Sequence, residues 1–239
     1  MREILIKYPY NISVSLYGDC FVAEDWIHTF MAFTERWQER LGVQYTRFGC
    51  DYYVNERIVY KGFQYVERNR KRIERFLNME KIHSIVFTAI EKEVDQARDM
   101  ECVIALAEPD PSPYTWEPYH HFYFLIVPEV LKPVLQGDSP FAFFLSLLQE
   151  VQEQLMNVCY GLVQPMESEK LPALYFMNIS SQHLSQREKE KLYIWKGSNR
   201  ELKSKIWGAF WGNMVTDEHL GAHREEILAR IWDIVGEEN

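Results

Sequence analysis

The first periodicity in this chain is that of a strand. Between residues 11 and 16 polar and apolar positions alternate (NISVSL), which places Ile12, Val14 and Leu16 on one side. Over 24–41 the spacing becomes helical: Trp26, Ile27, Phe30, Met31, Phe33, Trp37 and Leu41 form one broad apolar stripe, opened by acidic residues and closed by Gly42. A helix is expected there, with Met31 and the aromatics as core. Aromatic and β-branched residues dominate 43–66 (Tyr45, Phe48, Tyr52, Tyr53, Val54, Ile58, Val59, Tyr60), which predicts one or two strands punctuated by Gly49 and Gly62, then a short basic helix. Segments 82–90 and 102–107 read as two more strands, able to pair as a hairpin around the charged connector 91–101. Pro109, Pro111, Pro113 and Pro118 lack the amide donor that helices and ladders need, so they mark an irregular loop with Tyr114 and Trp116 at its tip. Segment 119–127 is apolar on both faces and reads as a central strand.

A second long helix is expected over 139–160, with Ser139 as its cap, Pro140 at the first position and a stripe of Phe144, Leu147, Leu148, Val151, Leu155 and Val158, ending at Gly161. Strands at 161–164 and 173–179 then precede helical segments at 182–195, 201–210 and 224–235. At helical pitch Trp207, Phe210, Trp211 and Met214 make an apolar seam. Adjacent strands are joined too briefly for many parallel crossovers. The expectation is therefore an α+β fold, a single domain over residues 1–239, with a largely antiparallel sheet packed against several amphipathic helices. Trp26, Phe30, Phe33, Trp37, Phe144, Leu148, Trp207 and Trp211 are expected to be buried.

Composition agrees: 239 residues, 47% of them apolar and 15% aromatic, suffice for a sizeable core. The longest strongly apolar run, 122–127, is far short of the roughly 20 residues that cross a bilayer. The opening MREILIKYPYNISVSL has neither an apolar signal core nor a small-residue cleavage site, so a cytoplasmic location is expected. Cys20, Cys50, Cys102 and Cys159 stand far apart in the chain, the pattern of reduced thiols rather than of a zinc or redox motif.

Charge narrows the partners. At −9 the chain is a poor match for nucleic acid, whose phosphates call for a basic face, and is better suited to basic proteins. The distribution is uneven: 91–110 holds seven acidic residues against two basic ones, whereas 67–75 holds five basic against two acidic.

The search for chemistry returns no catalytic, metal or cofactor set. His120 and His121 are adjacent on a strand and point to opposite faces. His219 and His223 have a chelating spacing, but Gly221 stands between them and no third ligand is marked. Gly-rich phosphate loops and the GxSxG elbow are absent from the sequence. Pro109-Asp110 has the form of a nuclease Pro-Asp element, yet the only Glu/Asp-x-Lys in the chain, Glu201-Leu202-Lys203, lies over 90 residues later in a helical segment.

Four of the seven tryptophans fall in the last 45 residues. The segment KIWGAFWGNMVTDEHL (205–220), the tryptophan-bearing helix 24–41, the alternating first strand and the mid-chain strands together resemble the immunity protein 52 family, and more widely the immunity proteins encoded beside type VI secretion effectors. That resemblance implies an antitoxin without catalytic residues or cofactor, acting in bacterial competition. It would bind a cognate toxin, often a nuclease of restriction-endonuclease fold. An acidic inhibitor would be steered toward the basic surface of such a nuclease. The candidate partner-binding residues are then Glu91, Glu93, Asp95, Glu108 and Asp110, with Tyr114 and Trp116 as aromatic anchors. No contact with nucleic acid or membrane is expected. An effector-associated adaptor or chaperone is the alternative, and an enzyme assembled from dispersed residues is a third reading.

Overall fold

The computed structural model describes residues 11–20, 25–90, 100–109, 119–136, 140–166 and 212–215. These residues form one antiparallel sheet with four helices, an α+β fold. The strands are β1 (Asn11–Cys20), β2 (Arg47–Val54), β3 (Arg57–Gln64), β4 (Ile82–Ile90), β5 (Met100–Ala107), β6 (His120–Ile126), β7 (Met156–Met166) and β8 (Gly212–Val215), and the helices are α1 (Trp26–Leu41), α2 (Val66–Leu77), α3 (Pro128–Leu135) and α4 (Pro140–Gln154). Across the sheet the order is β3-β2-β4-β5-β6-β1-β7-β8. Strands β2 to β6 meet their sequence neighbours or the next but one, while β1 is inserted between β6 and β7, both of which follow it by more than a hundred residues. Among the described residues no helix is long and apolar enough to cross a membrane.

The two-residue period decides which side chains face the helices. Ile12, Val14 and Leu16 of β1, Phe48 and Cys50 of β2, Ile85 and Phe87 of β4, Ile104 and Leu106 of β5, and Phe122, Phe124 and Ile126 of β6 belong to one buried cluster with residues from all four helices. Helix α1 contributes Trp26, Phe30, Phe33, Trp37 and Leu41, every one of them buried at the expected spacing. Its end is fixed by Gly42, which takes a left-handed φ of 64° and turns its amide back to the carbonyls of Gln38 and Glu39. Trp37 has 0% exposure and meets Phe33, Phe124 and Phe143 at centroid distances of 5.9, 5.8 and 5.6 Å. Phe144 is buried, and Leu148 is half-buried against the same cluster.

The opposite face of the sheet is buried as well, but more polar. Ser13, Ser15, Tyr17, His121, Tyr123 and Tyr160 lie there beside a small apolar cluster of Val103, Ala105, Tyr123 and Leu125. Strand β6 is buried on both faces from His121 to Ile126, as its unbroken apolar run predicts.

Several expectations need correction. The helix expected over 139–160 ends at Gln154, and Met156 already belongs to β7. Met156 and Val158 are buried in the helix-side cluster while Asn157 is exposed, the strand period; the register shift that skips Cys159 puts Tyr160 on the opposite face. Residues 212–215 are not the end of a helix: β8 pairs with β7, with Met214 opposite Gly161. Gly49 and Gly62 do not break strands but face each other across β2 and β3, and the turn between those strands is Asn55-Glu56, with φ of 50° and 63°. Helix α3 has no counterpart among the expected elements. The strand expected at 173–179, the helices at 182–195, 201–210 and 224–235, and the burial of Trp207 and Trp211 lie outside the described residues.

Two strands approach each other unusually closely where β1 and β7 shift register between Tyr17 and Gly18. A Cβ on Gly18 would sit 2.1 Å from the carbonyl oxygen of Asn157, a backbone atom that can move only if the strands part. Gly18→Ala is therefore expected to destabilise the protein by about 1–3 kcal/mol or more. Trp37→Ala, which empties the centre of the helical layer, should cost about 3–5 kcal/mol. Urea denaturation of each variant against the parent measures both.

Candidate functional site

Of the seven candidate partner-binding residues, only Glu108 lies within the described residues; Glu91, Glu93, Asp95, Asp110, Tyr114 and Trp116 lie outside them, as do His219 and His223. Glu108 follows β5 and is half-buried. Its carboxylate accepts a hydrogen bond from the indole of Trp26 at 2.8 Å, and its amide donates to the carbonyl of His83 at 2.8 Å. Both contacts tie the end of β5 to α1 and β4.

Around Glu108 the described residues gather one arrangement that resembles a reactive site. Cys20 ends β1, His120 begins β6, and the two meet because these strands are neighbours in the sheet. The contact is not the one a nucleophile needs. The backbone amide of Cys20, not its thiol, donates to Nδ1 of His120 at 3.2 Å. Burial first, and the carboxylates of Glu108 and Asp19 after it, push the Cys20 thiol up to about 12. Burial also lowers the pKa of His120, with Asp19 opposing. A protonated thiol beside a neutral imidazole is the reverse of a thiolate–imidazolium pair. The cleft at this corner, lined by Cys20, Trp26, Thr29, Leu106, Gln154 and Leu155, has a volume of about 10 Å³. That is room for about one water molecule, against roughly 300–1,000 Å³ for small-molecule sites.

None of the four cysteines is in a disulfide. Cys50 and Cys102 are buried, Cys20 and Cys159 half-buried, and burial, with Asp51 adding, raises Cys50 to about 12. Among the described residues no group of three or more His, Cys, Asp or Glu side chains is placed to hold a metal ion.

Surface character is concentrated at the other end of the sheet. Of the large apolar side chains exposed among the described residues, Val54, Ile58, Val59, Tyr60, Tyr65 and Met79 all belong to the β2–β3 hairpin and the segments flanking α2; Leu145 is the exception. Tyr60 is 57% exposed and lies flat over the paired glycines, its hydroxyl 2.8 Å from where a Cβ on Gly49 would stand. The hairpin is also cationic: Lys61 and Arg72 flank the ring of Phe63 at 5.6 and 5.7 Å, and Arg68 lies over Tyr65 at 5.3 Å. The sequence marks the basic run and the apolar strand separately, but the register that puts them side by side is a property of the fold.

No family model, no curated protein and no solved structure matches this chain.

One buried group gives the fold a pH dependence. His121 stacks on Tyr17 at 4.2 Å, and burial lowers its pKa to about 3. The unfolded chain takes up this proton near pH 6.5 and the folded protein does not, so stability is full above about pH 6.5 and is lost as pH falls toward 3. The slope is about 1.4 kcal/mol per pH unit for one such group. His121→Phe, which keeps a ring against Tyr17, should flatten the pH dependence of the urea midpoint between pH 6 and about 4. An unchanged slope would show that His121 does not govern it.

Proposed function

We propose that this protein is an immunity protein that binds and neutralises a cognate type VI secretion effector in the cytoplasm of the producing cell, through a stoichiometric protein–protein complex. Three observations support a binding role. The closing segment KIWGAFWGNMVTDEHL resembles that of toxin immunity proteins; the chain is acidic overall, with seven acidic residues against two basic ones in 91–110; and exposed apolar side chains gather at one hairpin. The last of these is the structural support for a binding role, because exposed apolar side chains gathered in one region mark protein–protein contact. The Cys20–His120–Glu108 corner favours binding over nucleophilic chemistry for the reasons already given: a protonated thiol, a neutral imidazole and a carboxylate engaged by Trp26.

For a nuclease toxin the acidic segment supplies the recognition. The toxin must hold phosphates on a basic surface, and an acidic inhibitor is drawn to the same field and occupies it. Tyr114 and Trp116 would anchor the encounter once formed. Association without inhibition, as by an adaptor or chaperone, is the competing reading. Co-expression with the product of the adjacent reading frame separates the two: an immunity protein relieves its toxicity and purifies with it, whereas an adaptor purifies with it and leaves the toxicity intact.

With such a toxin in hand, reversing Glu91, Glu93 and Asp95 to Lys should lower the association rate. The parent's rate should fall with salt, over a Debye length of about 8 Å at physiological ionic strength. Tyr114→Ala and Trp116→Ala should instead raise the dissociation rate. Stopped-flow association and surface-plasmon dissociation read the two effects apart. Unchanged kinetics in both variant sets, with the proteins folded, would remove this segment from the interface.

A further inference from the structure

We infer that the outer edge of β3 takes up an extended protein segment, alternating acidic and apolar residues, as an added strand of the sheet. The surface extends the reading of the protein as a partner-binding module and does not require the partner to be a toxin.

Among the described residues strand β3 is the last strand at its end of the sheet; it is exposed at seven of its eight positions and keeps an unbroken register with β2 from Arg57 to Gln64. Natural edges are blunted by proline, bulges, short length or charged side chains, lysine above all. β3 has no proline or bulge and is eight residues long; Lys61 is the one charge within its span after Arg57, and it opposes a cationic strand while admitting an acidic one.

The hairpin geometry says which backbone groups are available. A two-residue turn makes its flanking pair, Val54 and Arg57, a hydrogen-bonded pair, so the amides of Arg57, Val59, Lys61 and Phe63 point toward β2. Those of Ile58, Tyr60, Gly62 and Gln64 point outward, together with the carbonyls of Ile58, Tyr60 and Gly62; the Gln64 carbonyl already accepts from Nδ2 of Asn69 at 2.7 Å.

The two sides of this edge differ in chemistry. On the side of the helices the outer strand presents Lys61 and Phe63, with Arg72 of α2 over the same ring. On the other side it presents Ile58 and Tyr60, 44% and 57% exposed. Acidic residues in these elements are Asp51, which accepts from Ser84, Glu56 in the turn, Glu67, and Glu74, which pairs with Arg70. Among the described residues no carboxylate forms an ion pair with Lys61, Arg68 or Arg72. A strand laid along the edge would thus set alternate side chains against cations on one face and against Ile58 and Tyr60 on the other. Self-pairing of two such edges is opposed by the same cations. The charge selects an acidic partner, and the period of the strand selects the alternation.

The test uses the full chain and a short synthetic peptide alternating Glu and Val, with a Lys–Val peptide, an oligo-dT strand and the protein alone as the other arms. Hydrogen exchange followed by NMR should show saturable protection of the amides of Ile58, Tyr60, Gly62 and Gln64 by the Glu–Val peptide. Ile58→Pro, which removes an outward amide while sparing the ladder to β2, should abolish it, and Ile58→Thr should retain it. Lys61→Glu combined with Arg72→Glu should weaken binding by about tenfold. Four results would each overturn the inference: no protection by the Glu–Val peptide, equal binding by Ile58→Pro and the parent, protection by the Lys–Val peptide or oligo-dT in place of the Glu–Val peptide, or concentration-dependent protection in the protein alone. Relief of toxicity by the protein is a separate measurement, and its outcome leaves this one untouched.

Discussion

The indole of Trp37 has no exposed surface, and three elements meet on it: its own helix α1, strand β6 through Phe124, and helix α4 through Phe143. Its polar edge has to be satisfied as well, since a buried N–H without a partner costs about 1–3 kcal/mol. Glu150 of α4 accepts that hydrogen at 3.0 Å and pairs with Arg40 at 2.7 Å, while the Arg40 guanidinium lies over the Trp37 ring at 4.6 Å. One side chain therefore fixes the spacing of the helical layer and the rotation of α4 about its axis. The carboxylate can be tolerated there because it is only partly buried and is neutralised by Arg40.

With the helical layer fixed on one face, the chemistry of the sheet separates into two ends. At the end of β1 and β5, polar groups are drawn inward, as in the hydrogen bond from Trp26 to Glu108, which joins the first helix to the fifth strand. At the β2–β3 end they are left outside: cations and aromatic rings share the surface, while Phe76 of α2 packs on Tyr52 and Phe63. An outward-turned edge at β3 beside an inward-turned centre at β5, β6 and β1 offers a preorganised surface, which spares the ordering cost of binding.

Legibility in the sequence follows the uniqueness of the period. Helix α1 and strands β1, β4 and β6 were readable because their apolar residues fit one period only, and the antiparallel α+β architecture followed from them. Leu155 and Val158 fit both a continuing helix and a new strand, so the boundary between α4 and β7 was misplaced. Helix α3 carries Pro133 inside it, which argues locally against a helix that the burial of Leu131 and Pro128 nonetheless sustains. Gly49 and Gly62 looked like strand ends because glycine usually interrupts strands; here they make room for the ring of Tyr60. The meeting of Cys20 with His120 was not readable at all, because a hundred residues separate them and only the pairing of β1 with β6 joins them. Charge asymmetry was visible in the sequence, but its basic half acquires an address only once α2 is packed beside β3.

The place of β1 in the sheet also dictates a sequence of events during synthesis. Strands β2 to β5 with α1 and α2 can collapse as soon as they emerge, since each pairs with a strand nearby in the chain. β1 cannot: Ile12 has its partners at Ile126 and Pro165. At roughly 5–20 residues per second of translation, an apolar strand at the front of the chain waits on the order of ten seconds for both neighbours. Until β6 appears its native partners are missing; β1 then adds at the edge that β6 leaves open and becomes in turn the edge on which β7 and β8 are laid.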